Sequence, residues 1–188
     1  MKRTVKEKMY FNLPMASLRI LGGWCADCAE LVLPIFEKYV PLDSRPREAI
    51  SGIRVFAAGG KRTAELRKLA LAALAAARDT KSPAGAAAAK AAGMAASSAY
   101  THPLVDLQQT KHIVGPGAYT AIAVELERGD EKAGAELVRT AIENVPIEVG
   151  EVLINMPARA PGKSRLDRLM YELDKGIRGR TQNSELRV

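Results

Sequence analysis

Apolar residues over positions 18–39 recur at alternating steps of three and four, which places them on one face of a helix. They are Leu18, Leu21, Cys25, Cys28, Val32, Ile35 and Tyr39. Trp24, Leu31 and Phe36 widen this face, so we expect the segment to lie deep in the core. Pro34 lies inside the segment and lacks the N–H that a helix uses, which predicts a kink just before it.

Capping residues and prolines divide the rest of the chain into further helices. A Ser or Thr followed by proline or by an apolar run is a typical helix start. Such starts predict helices over 46–57, from Thr63 to Arg78, from Ser82-Pro83 towards Tyr100, and over 164–176. Apolar residues bounded by glycine, aspartate or proline predict further helices over 118–126, 131–144 and 147–156. His102-Pro103 and Gly115-Pro116-Gly117 are expected to bracket an irregular or short helical segment. The pattern therefore predicts an all-α, single-domain bundle of about seven to eight helices.

Alanine dominates the middle of the chain, where sixteen alanines fall between residues 70 and 99. Alanine combines the highest helix propensity with a small side chain, so helices here are expected to approach one another closely. The same faces could pack against a second copy of the chain. The sequence is therefore compatible with a homodimer but does not by itself indicate one.

The length of 188 residues favours one domain. We predict a basic N-terminal extension over 1–15, a helical domain over 16–178 and a flexible C-terminal tail over 179–188. No apolar run approaches the roughly 20 residues that a membrane helix needs. The N-terminus lacks the apolar core of a secretion signal, so a cytoplasmic protein with no membrane partner is expected.

The formal charge of +7 resides at the two ends of the chain. Residues 1–10 carry four Lys and Arg against one Glu, and residues 158–188 carry eight against four acidic residues. The charges of residues 11–157 therefore cancel. We interpret the basic ends as solubilising segments, because charge confined to the ends does not favour a nucleic-acid-binding surface. A nucleic-acid-associated helical protein is the weaker alternative.

Cys25-Ala-Asp-Cys28 has the spacing of a metal or redox motif. A redox thiol typically begins a helix after a strand, whereas this pair lies inside the helical pattern. A zinc site needs two further ligands, and His102 and His112 are ten residues apart. We interpret both cysteines as small apolar core residues and expect no metal or cofactor. The alternative is a small metal- or thiol-dependent enzyme that uses the cysteines with Asp27 and one histidine.

Asp27 and Glu30 lie three residues apart and so are neighbours on the helix surface. Paired carboxylates can perform acid–base chemistry, but they more often accept ion pairs. Arg45 and Arg47, on either side of Pro46, are the expected partners. No phosphate loop, nucleophile elbow or metal-binding helix motif is present, so we predict no catalytic residue.

Two phrases of the sequence resemble the Imm-5-like putative immunity protein family. The first is Trp24-Cys-Ala-Asp-Cys-Ala-Glu-Leu-Val-Leu-Pro-Ile-Phe-Glu37, and the second contains Arg45-Pro-Arg-Glu-Ala-Ile50. The Ala-rich stretch and Ala118-Tyr119 fit the later part of the family pattern. The specific resemblance covers residues 20–60, and a looser one continues to residue 125.

The resemblance implies a non-enzymatic protein that binds a cognate bacterial toxin and neutralises it. It also marks a set of polar and aromatic positions for attention. They are Trp24, Asp27, Cys28, Glu30, Arg45, Pro46, Arg47, His102, His112 and Tyr119. The family's two histidines lie closer together in sequence than His102 and His112, and the insertion between them distinguishes this chain.

Overall fold

The computed structural model describes residues 8–185, with only the backbone described for the last two of these. Within this range it contains nine α-helices and one short 3-10 helix, Leu107–Thr110. The α-helices are α1 (Met15–Glu30), α2 (Leu33–Tyr39), α3 (Arg45–Ala57), α4 (Ala64–Asp79), α5 (Pro83–Ser98), α6 (Lys111–Arg128), α7 (Glu131–Glu143), α8 (Ile147–Ile154) and α9 (Arg165–Glu185). The predicted all-α fold is confirmed, with slightly more helices than expected.

The first predicted helix is broken into α1 and α2 where a kink was expected. The Val32 N–H donates to the Ala29 carbonyl at 3.2 Å, which tightens the end of α1, and Pro34 then occupies the first turn of α2. Proline fits there because first-turn N–H groups have no partner within the helix. The change of direction turns Leu31 and Tyr39 towards solvent, so their predicted burial is wrong.

The alanine-rich helices lie at the centre of the molecule. Helix α5 packs against α1, α2, α3, α4 and α6, and eleven of its sixteen residues are buried. Helix α6 packs along α5 and also contacts α1, α7 and α9. The small side chains predicted to allow close packing are therefore covered by other helices of the same chain. The homodimer stays a prediction.

Side-chain hydroxyls cap the N-termini of α4 and α5 at the positions that the sequence predicts. The Thr63 hydroxyl accepts the Leu66 N–H at the start of α4. The Ser82 hydroxyl accepts the Gly85 N–H at 3.0 Å at the start of α5. Each bond satisfies a backbone donor that has no partner within the helix. The caps therefore fix where α4 and α5 begin.

Helix α6 begins at Lys111, so the prediction that Gly115-Pro116-Gly117 bounds an irregular segment is wrong. Pro116 lies inside the helix and cannot donate to the His112 carbonyl four residues earlier. The Cys25 thiol of α1 lies 3.9 Å from this carbonyl and 3.8 Å from the Ile113 carbonyl, so it is a weak donor shared between the two. Packing against α1 thus allows a proline that the local pattern disfavours.

Helix α9 continues to Glu185, beyond the end predicted at Gly176. A Cβ at Gly176 would collide with Ile142 of α7, so this glycine permits close packing and does not terminate the helix. Beyond it, Ile177 is fully buried and Thr181 is only 1% exposed. Tertiary contacts therefore hold the last turns in helical form.

The two ends of the chain are described only in part. Residues 1–7 of the predicted extension and residues 186–188 of the predicted tail lie outside the described residues. Residues 179–185 of that tail continue α9. Next to the N-terminal end, Tyr10 forms a single β-bridge with Leu104. No helix in the described part of the chain has both the length and the apolar character to cross a bilayer.

Candidate functional site

A groove opens where the break between α1 and α2 faces α6 and α7. It contains a cavity of about 180 Å³ whose wall includes Trp24, Asp27 and Cys28, three of the positions marked by the sequence. A second cavity of about 350 Å³ adjoins it. Leu31 and Leu137 line both cavities. These five residues define what we call the junction groove.

The floor of the junction groove is held by contacts between α1 and α6. The helix break leaves the Cys28 carbonyl without its usual backbone donor, because the Val32 N–H turns to Ala29. The Thr120 hydroxyl donates to the Cys28 carbonyl at 2.8 Å instead. A Cβ at Gly117 would lie 3.8 Å from the Cys28 sulfur, so α6 passes directly beneath the thiol. The floor is thus tightly packed.

Both cysteines are buried free thiols, which confirms their interpretation as core residues. Burial, with the nearby Asp27 charge, raises the pKa of Cys28 to about 12. Burial, with the adjacent Cys28, also raises the pKa of Cys25 well above its ordinary value. Thiols with such pKa values stay protonated at neutral pH and are poor nucleophiles. Among residues 8–185, no three His, Cys, Asp or Glu side chains are grouped as a metal site.

The acidic edge of the groove is paired with an arginine that the sequence pattern missed. Arg54 of α3 reaches Asp27 at 2.7 Å and also contacts Glu30. Hydrogen bonds to Glu30 and Asp27 raise the pKa of the Arg54 guanidinium. One cation therefore serves both carboxylates, and the edge is an ion-pair network.

The expected partners of this edge, Arg45 and Arg47, are engaged elsewhere, so that prediction is wrong. Arg45 pairs with Asp43 at 2.6 Å and reaches across to Asp79 at 2.8 Å, while Arg47 pairs with Glu37 at 2.5 Å. The start of α3, where Pro46 is buried, faces α2 and α4. Only the later part of α3 faces the acidic edge, and no local spacing indicates this.

The two histidines lie in different surroundings. His102 follows α5, is exposed and has its ring 5.7 Å from that of Tyr10 in an edge-on arrangement. His112 lies in the first turn of α6, half-buried, with its Nδ1 buried and unpartnered. Burial, with the adjacent lysine, lowers the pKa of His112. Tyr119 lies further along α6 with its ring 5.6 Å from the Lys90 ammonium group.

Two buried ion pairs were also missed by the sequence analysis. Glu125 of α6 binds Arg165 of α9 at 2.6 Å, and Asp174 binds Arg178 within α9 at 2.9 Å. The second pair has the i, i+4 spacing that a helix brings together, so the sequence carried a signal for it. The first joins residues far apart in the chain, and no local pattern indicates it. The first pair attaches α9 to α6. The second lies within α9, where Asp174 also accepts the Arg159 N–H and Arg178 donates to the Met156 carbonyl.

A family model described as Imm-5 like putative immunity protein matches residues 13–146, which is more than half of the chain. The match begins just before α1 and ends just before α8, so it includes every residue that lines the junction groove. No curated protein and no solved structure matches the chain. On the strength of this match, the chain belongs to the Imm-5 like putative immunity protein family.

Proposed function

We propose that this chain neutralises a cognate bacterial toxin by binding it, without catalysing a reaction. The family match over residues 13–146 is the observation that carries this proposal. The chemistry of the junction groove supports it. Its thiol is buried with a raised pKa, which makes it a poor nucleophile, and its acidic edge is engaged in an ion-pair network with one arginine.

The two alternatives, a metal- or thiol-dependent enzyme and a nucleic-acid-associated protein, have less support than the family match gives to the binding function. A thiol-dependent enzyme would need an accessible, acidic thiol, whereas burial raises the pKa of both Cys25 and Cys28. The nucleic-acid alternative depends on the basic ends. In the described part of the C-terminal end, Arg165 and Arg178 are already paired with acidic residues, and residues 1–7 and 186–188 lie outside the described residues. We therefore pursue the binding function alone.

We place the toxin contact at the junction groove. Leu31 is 62% exposed although it lies between two cavities of about 180 and 350 Å³. Protein interfaces commonly centre on an apolar or aromatic anchor that fills such a recess. Asp27, Arg128 and Glu136 surround the recess with charges of both signs. A toxin segment with an apolar side chain flanked by polar groups is the matching partner.

The proposal is tested by co-expressing the protein with toxins encoded beside its own gene and measuring growth. The wild-type chain should restore growth and co-purify with its toxin. Leu31→Asp places a charge in the apolar recess and should weaken the complex by at least about tenfold, as loss of an interface anchor does. Calorimetry with purified toxin measures this change.

The matched control is Leu71→Asp, because Leu71 is 60% exposed on α4 and lines neither cavity. This variant should protect cells as the wild-type chain does. If the wild-type chain protects against none of the neighbouring toxins, the proposed function is wrong. If Leu31→Asp and Leu71→Asp protect equally, the function stands but its assignment to the junction groove is wrong.

A further inference from the structure

A separate cavity of about 340 Å³ lies between the start of α4 and the segment that follows α5. Its wall includes Arg62, Arg67, Tyr100 and His102. We call it the arginine pocket, after its two guanidinium groups. None of its lining residues lines the junction groove, so the two sites can be tested independently.

The two arginines are placed around one fixed aromatic ring. The Tyr100 hydroxyl donates to the Thr63 carbonyl, which ties the ring to the start of α4. The Arg67 Cζ lies 4.7 Å from the ring centroid and the Arg62 Cζ lies 5.8 Å from it. Arg62 also donates to the Ala99 carbonyl at 3.2 Å. Cation–π attraction and this hydrogen bond hold both charges at the pocket wall.

The positive charge of the arginine pocket is not neutralised by the described part of the chain. Neither Arg62 nor Arg67 forms an ion pair there, whereas Arg45, Arg47 and Arg54 all do. The nearby Glu65 is paired with Lys68 at 3.3 Å. Segment 61–68 thus carries four basic residues against one acidic residue, although residues 11–157 as a whole are balanced.

Tyr100 does not supply the missing negative charge. Burial raises the pKa of its hydroxyl and outweighs the opposite effect of Arg67 and Arg62. The phenol therefore stays neutral at physiological pH. Arg67 makes no side-chain hydrogen bond to another residue within the described range, so its N–H groups are available to a ligand.

We propose that the arginine pocket binds the phosphate group of a small phosphate monoester. Guanidinium groups match the oxygens of phosphate in bidentate geometry. A monoester carries a charge of about −1.5 to −2 at neutral pH, which balances two arginines better than one carboxylate does. The first turn of α4 adds the positive end of a helix dipole. The volume of about 340 Å³ is in the range of small-molecule sites.

Isothermal titration calorimetry at constant ionic strength tests this proposal with four probes: adenosine monophosphate, inorganic phosphate, adenosine and citrate. Adenosine monophosphate should bind and adenosine should not. Tighter binding of the monophosphate than of inorganic phosphate would show that the rest of the molecule contributes. Backbone amide signals of residues 63–67 should shift in NMR spectra on titration with the monophosphate.

Arg67→Gln should weaken binding of adenosine monophosphate by at least about tenfold, because it removes a charged hydrogen-bond donor. The fold should tolerate this change, since among the described residues the Arg67 side chain makes no hydrogen bond or ion pair and loses only its cation–π contact with Tyr100. The control is Arg78→Gln, an exposed position on the same helix outside the pocket, which should leave affinity unchanged.

Three results would overturn the assignment. The first is that neither phosphate compound binds at roughly millimolar concentration, the weak limit expected of a specific site. The second is that Arg67→Gln and Arg78→Gln bind the monophosphate equally well. The third is that citrate binds at least as tightly as the monophosphate, which would identify a carboxylate site. None of these results tests toxin binding, because the growth assay with co-expressed toxins tests that proposal separately.

Discussion

At the scale of single residues, burial decides how much an ion pair contributes. The pair between Arg54 and Asp27 is largely exposed, and such pairs are worth about 0–1 kcal/mol. It orients the edge of the junction groove more than it stabilises the fold. The Glu125–Arg165 pair is buried, and removing one partner of such a pair typically costs about 3–5 kcal/mol.

His112 should make the folded state sensitive to mild acid. Burial lowers the pKa of His112 below its ordinary value of 6.5, and its Nδ1 has no partner. The unfolded chain therefore takes up a proton at a higher pH than the folded chain does. The stability due to the neutral histidine is fully present above pH 6.5 and is lost as the pH falls below it.

His112→Gln should therefore reduce the loss of unfolding free energy between about pH 7 and pH 5. Urea denaturation at a series of pH values measures this slope. His102→Gln, a substitution of the other histidine at an exposed position, is the matched control. Equal slopes for the wild-type chain and His112→Gln would contradict the predicted role of burial.

At the scale of helices, two prolines have opposite effects on the helical path of the chain. Pro34 begins a new helix, because the first turn of α2 needs no N–H from it. Pro116 lies within α6, where the carbonyl it leaves unpaired lies 3.9 Å from the thiol of Cys25. The consequence of a proline thus depends on which element packs against the unpaired carbonyl.

The N-cap of α5 should contribute measurably to global stability. Ser82→Ala removes the acceptor for the Gly85 N–H, and loss of such a cap costs about 0.5–2 kcal/mol. The effect should be global because α5 packs against five other helices. Ser51→Ala, at an exposed position inside α3, is the matched control and should change stability little. Similar unfolding midpoints in urea for the two variants would contradict this prediction.

At the scale of the whole molecule, the fold extends beyond the region that matches the family. The match ends at residue 146, but α9 packs against α6, α7 and α8, and α8 also contacts α1. Leu169, Leu173 and Ile177 of α9 are fully buried. The last two helices therefore complete the core that supports the junction groove.

A chain that ends at residue 146 should not fold cooperatively. It lacks α8 and α9, so it exposes the apolar faces that they cover and leaves buried Glu125 without Arg165. Thermal unfolding followed by circular dichroism should lose its sharp transition, with increased binding of a hydrophobic dye. The control chain ends at Asn183 and retains Thr181, the last buried residue described. A wild-type midpoint for the shorter chain would show that α8 and α9 are dispensable.

Features that depend on neighbours within one helix could be predicted from the sequence. The period of three and four placed Cys25 and Cys28 in the core, and the hydroxyls of Thr63 and Ser82 marked two helix starts. The two phrases of the first fifty residues indicated the family that the comparison then showed. The placement of the cysteines and the two helix starts needed only contacts between residues close in sequence, which local geometry fixes.

Features that join distant segments could not be predicted in this way, because they depend on how the helices pack. The tertiary structure paired Arg54 with the acidic edge, exposed Leu31 between two cavities and held α9 in helical form past Gly176. It also gathered Arg62 and Tyr100 at one pocket, although charge along residues 11–157 sums to zero. Such contacts depend on how whole helices pack. The spacing of residues along one helix does not indicate which other helix will contact it.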